Sequence, residues 1–447
     1  MRNISANTCG LALPAGAAGH AVTHYSLTAA TLTYYPPIED ATSCEVCVIG
    51  AGLAGLSVAL ELARLGKSVV LLEANRIAWS ASGRNGGFVS PGFAESIVTI
   101  EERLGLHHAQ ELFRLSADGL TRIRRLIRES DTPQRIENGR GWLSLIRHAD
   151  VASLERKCER MAHDYHYPQE FLSRAELRSH ITSACYQAGL VDMNAFHIHP
   201  LEYASHLSKL ACKAGARLFE NSPVVSVSRK NADWLVSTGQ ANISARDVVV
   251  ATNAHDGPSR KVNSAVLPVS TYVVAASSQK LSSAIRFSGC IGDTRRSSDY
   301  YRIIGPQTAP MLLWGGRITT RLSQPARLAD TMKRDILSVY PQLDDMEIHN
   351  AWSGTMGYAV HKMPLIAKLD HGLWVATAFG GHGLNTTAMA GQVISAAICN
   401  GDDRYRLFEP FGPRYAGGFA GRIVAQFEYW RLRIVDRIEE ARAVSIE

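Results

Sequence analysis

The chain has no run of the ~20 apolar residues that a membrane-spanning helix requires. Its longest apolar stretch, Val46 to Leu60, is shorter than that and is interrupted by glycine. It has no dense block of lysine and arginine. The net charge of +6 therefore marks no nucleic-acid surface and only mildly favours acidic small molecules. The eight cysteines are scattered without the spacing of a disulfide scaffold, which points to reduced thiols and a cytoplasmic protein. Cys44 and Cys47 form a C-x-x-C, but CEVCVIG reads as a strand. Residues three apart on a strand point to opposite faces, so no metal site is expected. There is no internal repeat and no low-complexity tract. The opening GLALPAGAAGHAV has only Arg2 before it, and Pro14 and its glycines break the apolar run. Residues 1–43 therefore read as an N-terminal arm, flexible or docked, and not as a secretory signal.

What remains is an ordinary globular composition, 46% hydrophobic and 20% charged over 447 residues, enough for two or three domains with a large core. CEVCVIG, AGLAGLSVALELARLG and KSVVLLE read as strand, helix and strand. Leu53, Leu56, Leu60 and Ala63 give the helix its apolar face, and Gly66 ends it. Further helices are expected from about residue 101 to 128 with a break near Gly105, and over 150–165, 173–180, 200–213, 327–340 and the last thirty residues. Strands are expected in ARLFENS, PVVSVSR, WLVSTG, RDVVVATNA, TYVVAASS, YYRIIG, MLLWGGRI and LWVATAF.

Gly50-Ala51-Gly52-Leu53-Ala54-Gly55 fits G-x-G-x-x-G, directly after an apolar strand and at the opening of a helix, the context that makes this motif a dinucleotide site. Gly50 permits the tight turn, Gly52 lets the backbone approach a pyrophosphate, and Gly55 lets helix pack on strand. Leu53 and Ala54 begin the helix whose N-terminus faces the phosphates. Glu73, followed by Ala74, ends the second strand where a carboxylate accepts from ribose hydroxyls. The segment ANRIAWSASGRNGGFVSPGF after Glu73 is small and glycine-rich. It suits a backbone wrapped around a bulky ring system, which favours FAD over NAD.

Four stretches, CEVCVIGAGLAGLSVALELARLG, EANRIAWSASGRNGG, DYYRII with LLWGGR, and WSGTMGYAVHKMPLIA with GGHGLN, resemble the D-amino-acid oxidase superfamily of FAD enzymes. Within it the likeness is to the gamma-glutamylputrescine oxidoreductase group, over about residues 34–400. The resemblance implies an α/β fold: a Rossmann-type FAD-binding domain (44–105, 189–260 and 351–447) interleaved with an α+β substrate domain (106–188 and 261–350) containing a mostly antiparallel sheet. It implies that Ser82, Gly83, Arg84, Asn85, Gly86 and Gly87 line the flavin, and that Val225 meets the adenine through its backbone. Thr252 and Asn253 would lie near the pyrophosphate. Gly381, His382, Gly383 and Leu384 would lie at the pyrimidine edge, where a helix N-terminus stabilises negative charge. Tyr358 stands near the family's flavin-linking cysteine, so non-covalent FAD is expected. Leu313 stands where relatives carry an oxygen-promoting lysine, and Asn385 where they carry a carboxylate-binding one.

On the substrate side, Arg317 takes the place of a family active-site histidine. Strand alternation puts Leu313, Gly315 and Arg317 on one face, with Gly315 leaving room for a ligand and Arg317 clamping a carboxylate. Tyr301 is expected to face the flavin, with Arg302 as the alternative anchor. His361 and His199 read as structural, and His382 sits in a flavin loop. The implied activity is FAD-dependent oxidation of a carboxylate-bearing amine, such as a gamma-glutamyl polyamine or iminodiacetate, with oxygen as acceptor. The alternative is a dehydrogenase passing electrons to a quinone or carrier protein.

Overall fold

Residues buried on both faces dictate where the first sheet lies. Val46, Cys47, Val48 and Ile49 end the strand Thr42–Ile49, all buried, and Val69–Leu72 is buried throughout, as parallel strands covered by helices require. These two strands pair in parallel, and Thr42–Ile49 pairs likewise with Asn242–Val250. Arg217–Phe219 and Leu373–Thr377 extend the parallel sheet on its two sides. Antiparallel hairpin strands Ser226–Lys230, Asp233–Ser237 and Leu365–Asp370 fringe it. The helices Leu53–Arg64 and Gly383–Asn400 pack together, and nearly every residue of the first is buried. The computed structural model describes residues 11–13, 19–30, 32–147, 151–255, 257–295, 299–322 and 325–444.

The second sheet runs from Glu347–Tyr358 through Leu267–Ser277, Met311–Thr319, Tyr300–Ile304, Cys290–Asp293, Glu137–Ile146 and Ala188–Ile198 to Phe88–Val89, with Glu170–Ser173 beside Ala188–Ile198. Among its described pairings only Cys290–Asp293 with Glu137–Ile146 is parallel. The expected α/β architecture with a mostly antiparallel partner sheet is therefore present. Two of that sheet's longest strands, Glu137–Ile146 and Ala188–Ile198, were not read from the sequence. The second is buried along most of its length, so it lacks the alternation that announces a strand.

The helices lie where periodicity puts them, including Leu106–Arg128 after a break at Gly105, whose φ is +85°. One local reading needs correcting. The N–H groups of Glu45 and Val46 both donate to the Ser68 carbonyl, at 3.0 and 3.1 Å, a bulge that breaks strand alternation. Cys44 and Cys47 consequently pack against the same apolar cluster. All the described cysteines are free thiols, and no metal-binding group occurs among the described residues.

Of the expected N-terminal arm, residues 1–10, 14–18 and 31 lie outside the described residues. The described residues from 19 onward are docked. Thr23 caps the helix His24–Thr28, Tyr25 is buried, and the Ile38 N–H donates to Ser222 Oγ at 3.0 Å.

Candidate active site

The two sheets meet at a cavity of about 1220 Å³. Its first wall is the glycine loop. Gly50 has φ +100°, and a Cβ on it would lie 2.7 Å from the Ala251 carbonyl oxygen, while a Cβ on Gly55 would overlap the Gly50 carbonyl. Only glycine permits this backbone conformation and this approach of helix to strand. The helix Leu53–Arg64 has Gly52 at its N-cap and no capping side chain of its own. Ser82, packed against the glycine loop, supplies an acceptor, its Oγ taking the Leu53 N–H at 3.0 Å. Glu73 accepts from the N–H groups of Ala51 at 2.8 Å and Asn75 at 2.9 Å. Burial raises its carboxyl above the ordinary range, and these backbone bonds partly offset the rise. Gly50, Gly52, Leu53, Ala54, Glu73 and Ala74 all line the cavity, whereas Gly55 sits behind it as packing.

The second wall is the turn 82–87. Asn85 ties it by donating to the carbonyls of Ala81 and Ser82 (3.0 and 3.1 Å) and accepting the Gly87 N–H at 2.8 Å. Arg84 donates to the Trp79 carbonyl and lies 5.5 Å over the Trp79 ring, and burial lowers its pKa. Ser82, Arg84, Asn85, Gly86 and Gly87 line the cavity; Gly83 does not, because it packs against the Ala78 carbonyl. Thr252 and Asn253 close a third side. Asn253, at φ +55°, accepts the Gly357 N–H at 2.9 Å. Thr252 lines the cavity, and its Oγ1 is buried with no hydrogen-bond partner among the described residues. Val225 is 63% exposed, and its N–H is taken by the Ser237 carbonyl at 2.8 Å. Ser222, Pro223 and Val224 form the wall there instead.

Gly381, His382, Gly383 and Leu384 form the fourth side, at the N-terminus of Gly383–Asn400. His382 is the N-cap residue, with no side-chain cap, so the first amides of an 18-residue helix are presented to the cavity. Burial lowers the His382 pKa to about 4, which keeps the ring neutral. An uncapped helix start, a glycine cradle and a buried carboxylate suit a dinucleotide with a phosphate linkage and a ribose. The residues present fit FAD.

The substrate side departs from strand alternation. Between Leu267–Ser277 and Met311–Thr319 the register runs Tyr272 to Gly316, then Ser270 to Thr319. Thr271 thus faces both Arg317 and Ile318, and Arg317 has φ +56°. This bulge turns Ile318 into the cavity and Arg317 away from it. The Arg317 guanidinium grips Asp335 with two bonds, Nη2 to Oδ1 at 2.8 Å and Nε to Oδ2. The room expected beside Gly315 is filled by Tyr300, whose ring a Cβ on Gly315 would overlap.

Tyr300, not Tyr301, lines the cavity. Its hydroxyl lies 3.4 Å from Thr271 Oγ1, and burial pushes its pKa up to about 12. Tyr301 points into the opposite core, stacked 4.2 Å from Trp314 and bonded to the Tyr340 hydroxyl at 2.8 Å. Arg302 is fully buried and structural. It donates to the Tyr25 hydroxyl at 2.9 Å and the Ile198 carbonyl at 2.8 Å, and also bonds His197. Leu313 and Asn385 are buried away from the cavity, Asn385 donating to the Gly92 carbonyl at 3.2 Å. His199 caps the helix Pro200–Lys213, and His361 accepts the Met363 N–H at 3.1 Å.

Sequence reasoning missed the remaining lining. Phe88 and Trp142 extend the aromatic wall from Tyr300, with ring centroids 5.4 and 5.3 Å apart in succession. Gly292, Asp293 and Asp299 follow, and the C-terminal helix contributes Glu428, Tyr429 and Leu432. Arg147 and Arg295 neutralise part of the acid pair, at 2.7 Å to Asp293 and 3.0 Å to Asp299. Burial first, then the Asp293 charge, raises the Asp299 pKa to about 7. These side chains come from four separated segments, and only their shared cavity identifies them.

Comparison with known proteins agrees with this geometry. The family profile of FAD dependent oxidoreductases, DAO, matches residues 45–397. The probable oxidoreductase OrdL of Haemophilus influenzae is 31% identical over 405 residues, covering 87% of this chain and 90% of that one. Gamma-glutamylputrescine oxidoreductase of Escherichia coli is 28% identical over 394 residues, covering 87% and 91%. The crystal structure of L-proline dehydrogenase from P. horikoshii superposes with a TM-score of 0.69 at 19% identity, covering 84% of this chain and all of that one. With the dinucleotide cradle built and the profile spanning both sheets, the chain belongs to the DAO family of FAD-dependent oxidoreductases, enzymes acting on the C–N bonds of amines and amino acids.

Proposed function

We propose that this enzyme oxidises an amine that also carries a carboxylate, a gamma-glutamylated polyamine foremost and an N-substituted amino acid such as iminodiacetate next. The observation that carries this reading is the chemistry of the cavity's substrate side. Aromatic walls from Phe88, Trp142 and Tyr300 face the cavity, and exposed Lys362 also lines it, while Asp293 and Asp299 are taken up by Arg147 and Arg295. Aromatic faces attract an ammonium, and a lysine attracts a carboxylate. The 28% likeness to gamma-glutamylputrescine oxidoreductase supports the same class.

When bound, FAD supplies the acceptor for a hydride equivalent from the carbon beside nitrogen. The chain's own residues orient and exclude water. With FAD bound, Tyr300, Phe88 and Trp142 would wall off the reacting carbon, and the amides of Gly381 to Leu384 would stabilise negative charge on the reduced ring. Neutral His382 adds no competing charge. The imine released is hydrolysed, so amine, water and oxygen yield an aldehyde or oxo acid, the shortened amine and hydrogen peroxide. No cysteine is among the residues lining the cavity, and Tyr358 stands near the family's flavin-linking cysteine; both support a flavin held non-covalently.

The test is anaerobic bleaching of the visible flavin band by gamma-glutamylputrescine, iminodiacetate, sarcosine, glycine, D-alanine and putrescine. Bleaching by the first two alone is expected. A yellow protein bleached by none of them, or by putrescine alone, overturns the substrate class. Acid precipitation is expected to leave the yellow colour in the supernatant; colour in the pellet would contradict non-covalent binding. The second reading is a dehydrogenase using a quinone or carrier, to which Leu313, buried away from the cavity, lends no support. Stopped-flow reoxidation in air decides between them, and prompt reoxidation eliminates the dehydrogenase.

A further inference from the structure

The C-terminal helix Gly418–Val444 is apolar on two faces. Its inner face carries Tyr429 and Leu432 at the cavity and is held by polar bonds: Gln426 accepts from Thr319 Oγ1 at 2.6 Å, and Glu440 from Arg295 at 2.6 Å. Its outer face carries Phe419, Ile423, Phe427, Trp430, Ile434 and Ile438, in steps of three and four residues, with exposures between 41% and 75%. Seven of the eighteen exposed large hydrophobic side chains among the described residues sit on this helix. A contiguous apolar stripe of that kind on a soluble face marks an interaction surface.

The charge around the stripe selects the partner. The acidic side chains of the helix are largely engaged: Asp436 is buried, Glu440 bonds Arg295, and Glu428 and Arg431 offset one another at 2.6 Å. Glu439 is half-buried. Arg437 is exposed beside the stripe, and Arg321 lies 5.8 Å over the Trp430 ring. Arg433 is close enough to Arg317, Arg437 and Arg295 that their charges, after burial, help lower its pKa, with Asp335 opposing them. Arginines around an exposed stripe of Phe, Trp and Ile match an anionic lipid surface. A second copy of the helix would bring the same cations together. No described helix is long and apolar enough to cross a membrane, so the helix can only lie on one.

We infer that this face docks the enzyme peripherally on an anionic lipid bilayer, with the C-terminal helix lying in the plane of the interface. Val360 and Tyr415 are also exposed, and Val360 lines the cavity.

The full FAD-loaded chain should co-float with vesicles of phosphatidylglycerol and phosphatidylcholine in equal parts. Its bound fraction should be about tenfold lower on pure phosphatidylcholine and should fall as salt rises. Two variants separate the components. Phe427→Ser with Trp430→Ser and Ile434→Ser removes the apolar stripe, and Arg433→Glu with Arg437→Glu reverses the rim. Each should abolish flotation while leaving the flavin spectrum and soluble-substrate turnover intact. Failure of the wild-type chain to float with anionic vesicles overturns the inference. So does a wild-type dimer by light scattering that the triple serine variant makes monomeric while neither floats, since the stripe would then join two copies.

Discussion

The ring of Tyr300 lies across Gly315 on the neighbouring strand, in the volume that any side chain at 315 would need. Gly315 therefore positions Tyr300 at the cavity wall and does not leave a vacancy for substrate. Gly315→Ala should push the ring toward the substrate and lower kcat/KM at least about tenfold, a change of ~1.4 kcal/mol in transition-state stabilisation. Tyr300→Phe keeps the ring and should cost less. Both should retain the flavin spectrum. Steady-state kinetics checks this, and an unchanged kcat/KM for Gly315→Ala would refute it.

Arg317 and Arg302 should behave as structural residues. Arg317→Ala loses a partly exposed ion pair with Asp335 and should cost about 0.5–1 kcal/mol of stability with no change in KM for acidic amines. Arg302→Leu strands the Tyr25 hydroxyl and the Ile198 carbonyl in the core, and about 2–4 kcal/mol is expected. Denaturant titration and KM measured side by side distinguish the roles. A large rise in KM for Arg317→Ala at unchanged stability would reinstate it as a carboxylate clamp.

Gly55→Ala places a methyl group against the Gly50 carbonyl, a backbone atom that cannot move without distorting the phosphate loop. Overpacking of about 1–3 kcal/mol at that contact should weaken FAD binding about tenfold or more. The ratio of flavin to protein absorbance, and flavin titration of the apoprotein, measure it. Full occupancy with wild-type affinity would show that the helix start is not the phosphate cradle.

Burial holds His24, His361 and His382 near pKa 4 and His199 near 3, against 6.5 for a solvated ring. The unfolded chain takes up these protons below pH 6.5 while the folded chain resists. Their stabilising contribution is thus complete above pH 6.5 and is lost as pH falls toward 4. The melting temperature should drop between pH 6.5 and 5. His199→Asn, which keeps an N-cap acceptor, should show a shallower drop. Parallel curves for the two proteins would remove His199 from the account.

The dinucleotide half was legible because its chemistry is local. A glycine turn, a helix start and a strand-ending acid lie between Gly50 and Glu73, within one strand–helix–strand unit, and each has a backbone reason for its residue type. The same holds for Asn85 and Gly87, which bond within their own turn, and for the helix that begins at Gly383. The C-terminal helix was legible as a helix, but its second apolar face was not, because charges at nine positions masked the stripe in composition.

The sequence by itself determined the parallel sheet, the cofactor cradle and the positions of the helices, since these follow from periodicity, valine-rich strands and glycine geometry over a few residues. Only the tertiary structure decided which side chains face the substrate. One bulge opposite Thr271 exchanged Arg317 for Ile318, and the packing of Trp314, Tyr186 and Tyr340 drew Tyr301 into the core and left Tyr300 at the wall. A strand's alternation is exact only while its register is unbroken, and register is set by the neighbouring strand, which lies elsewhere in the chain.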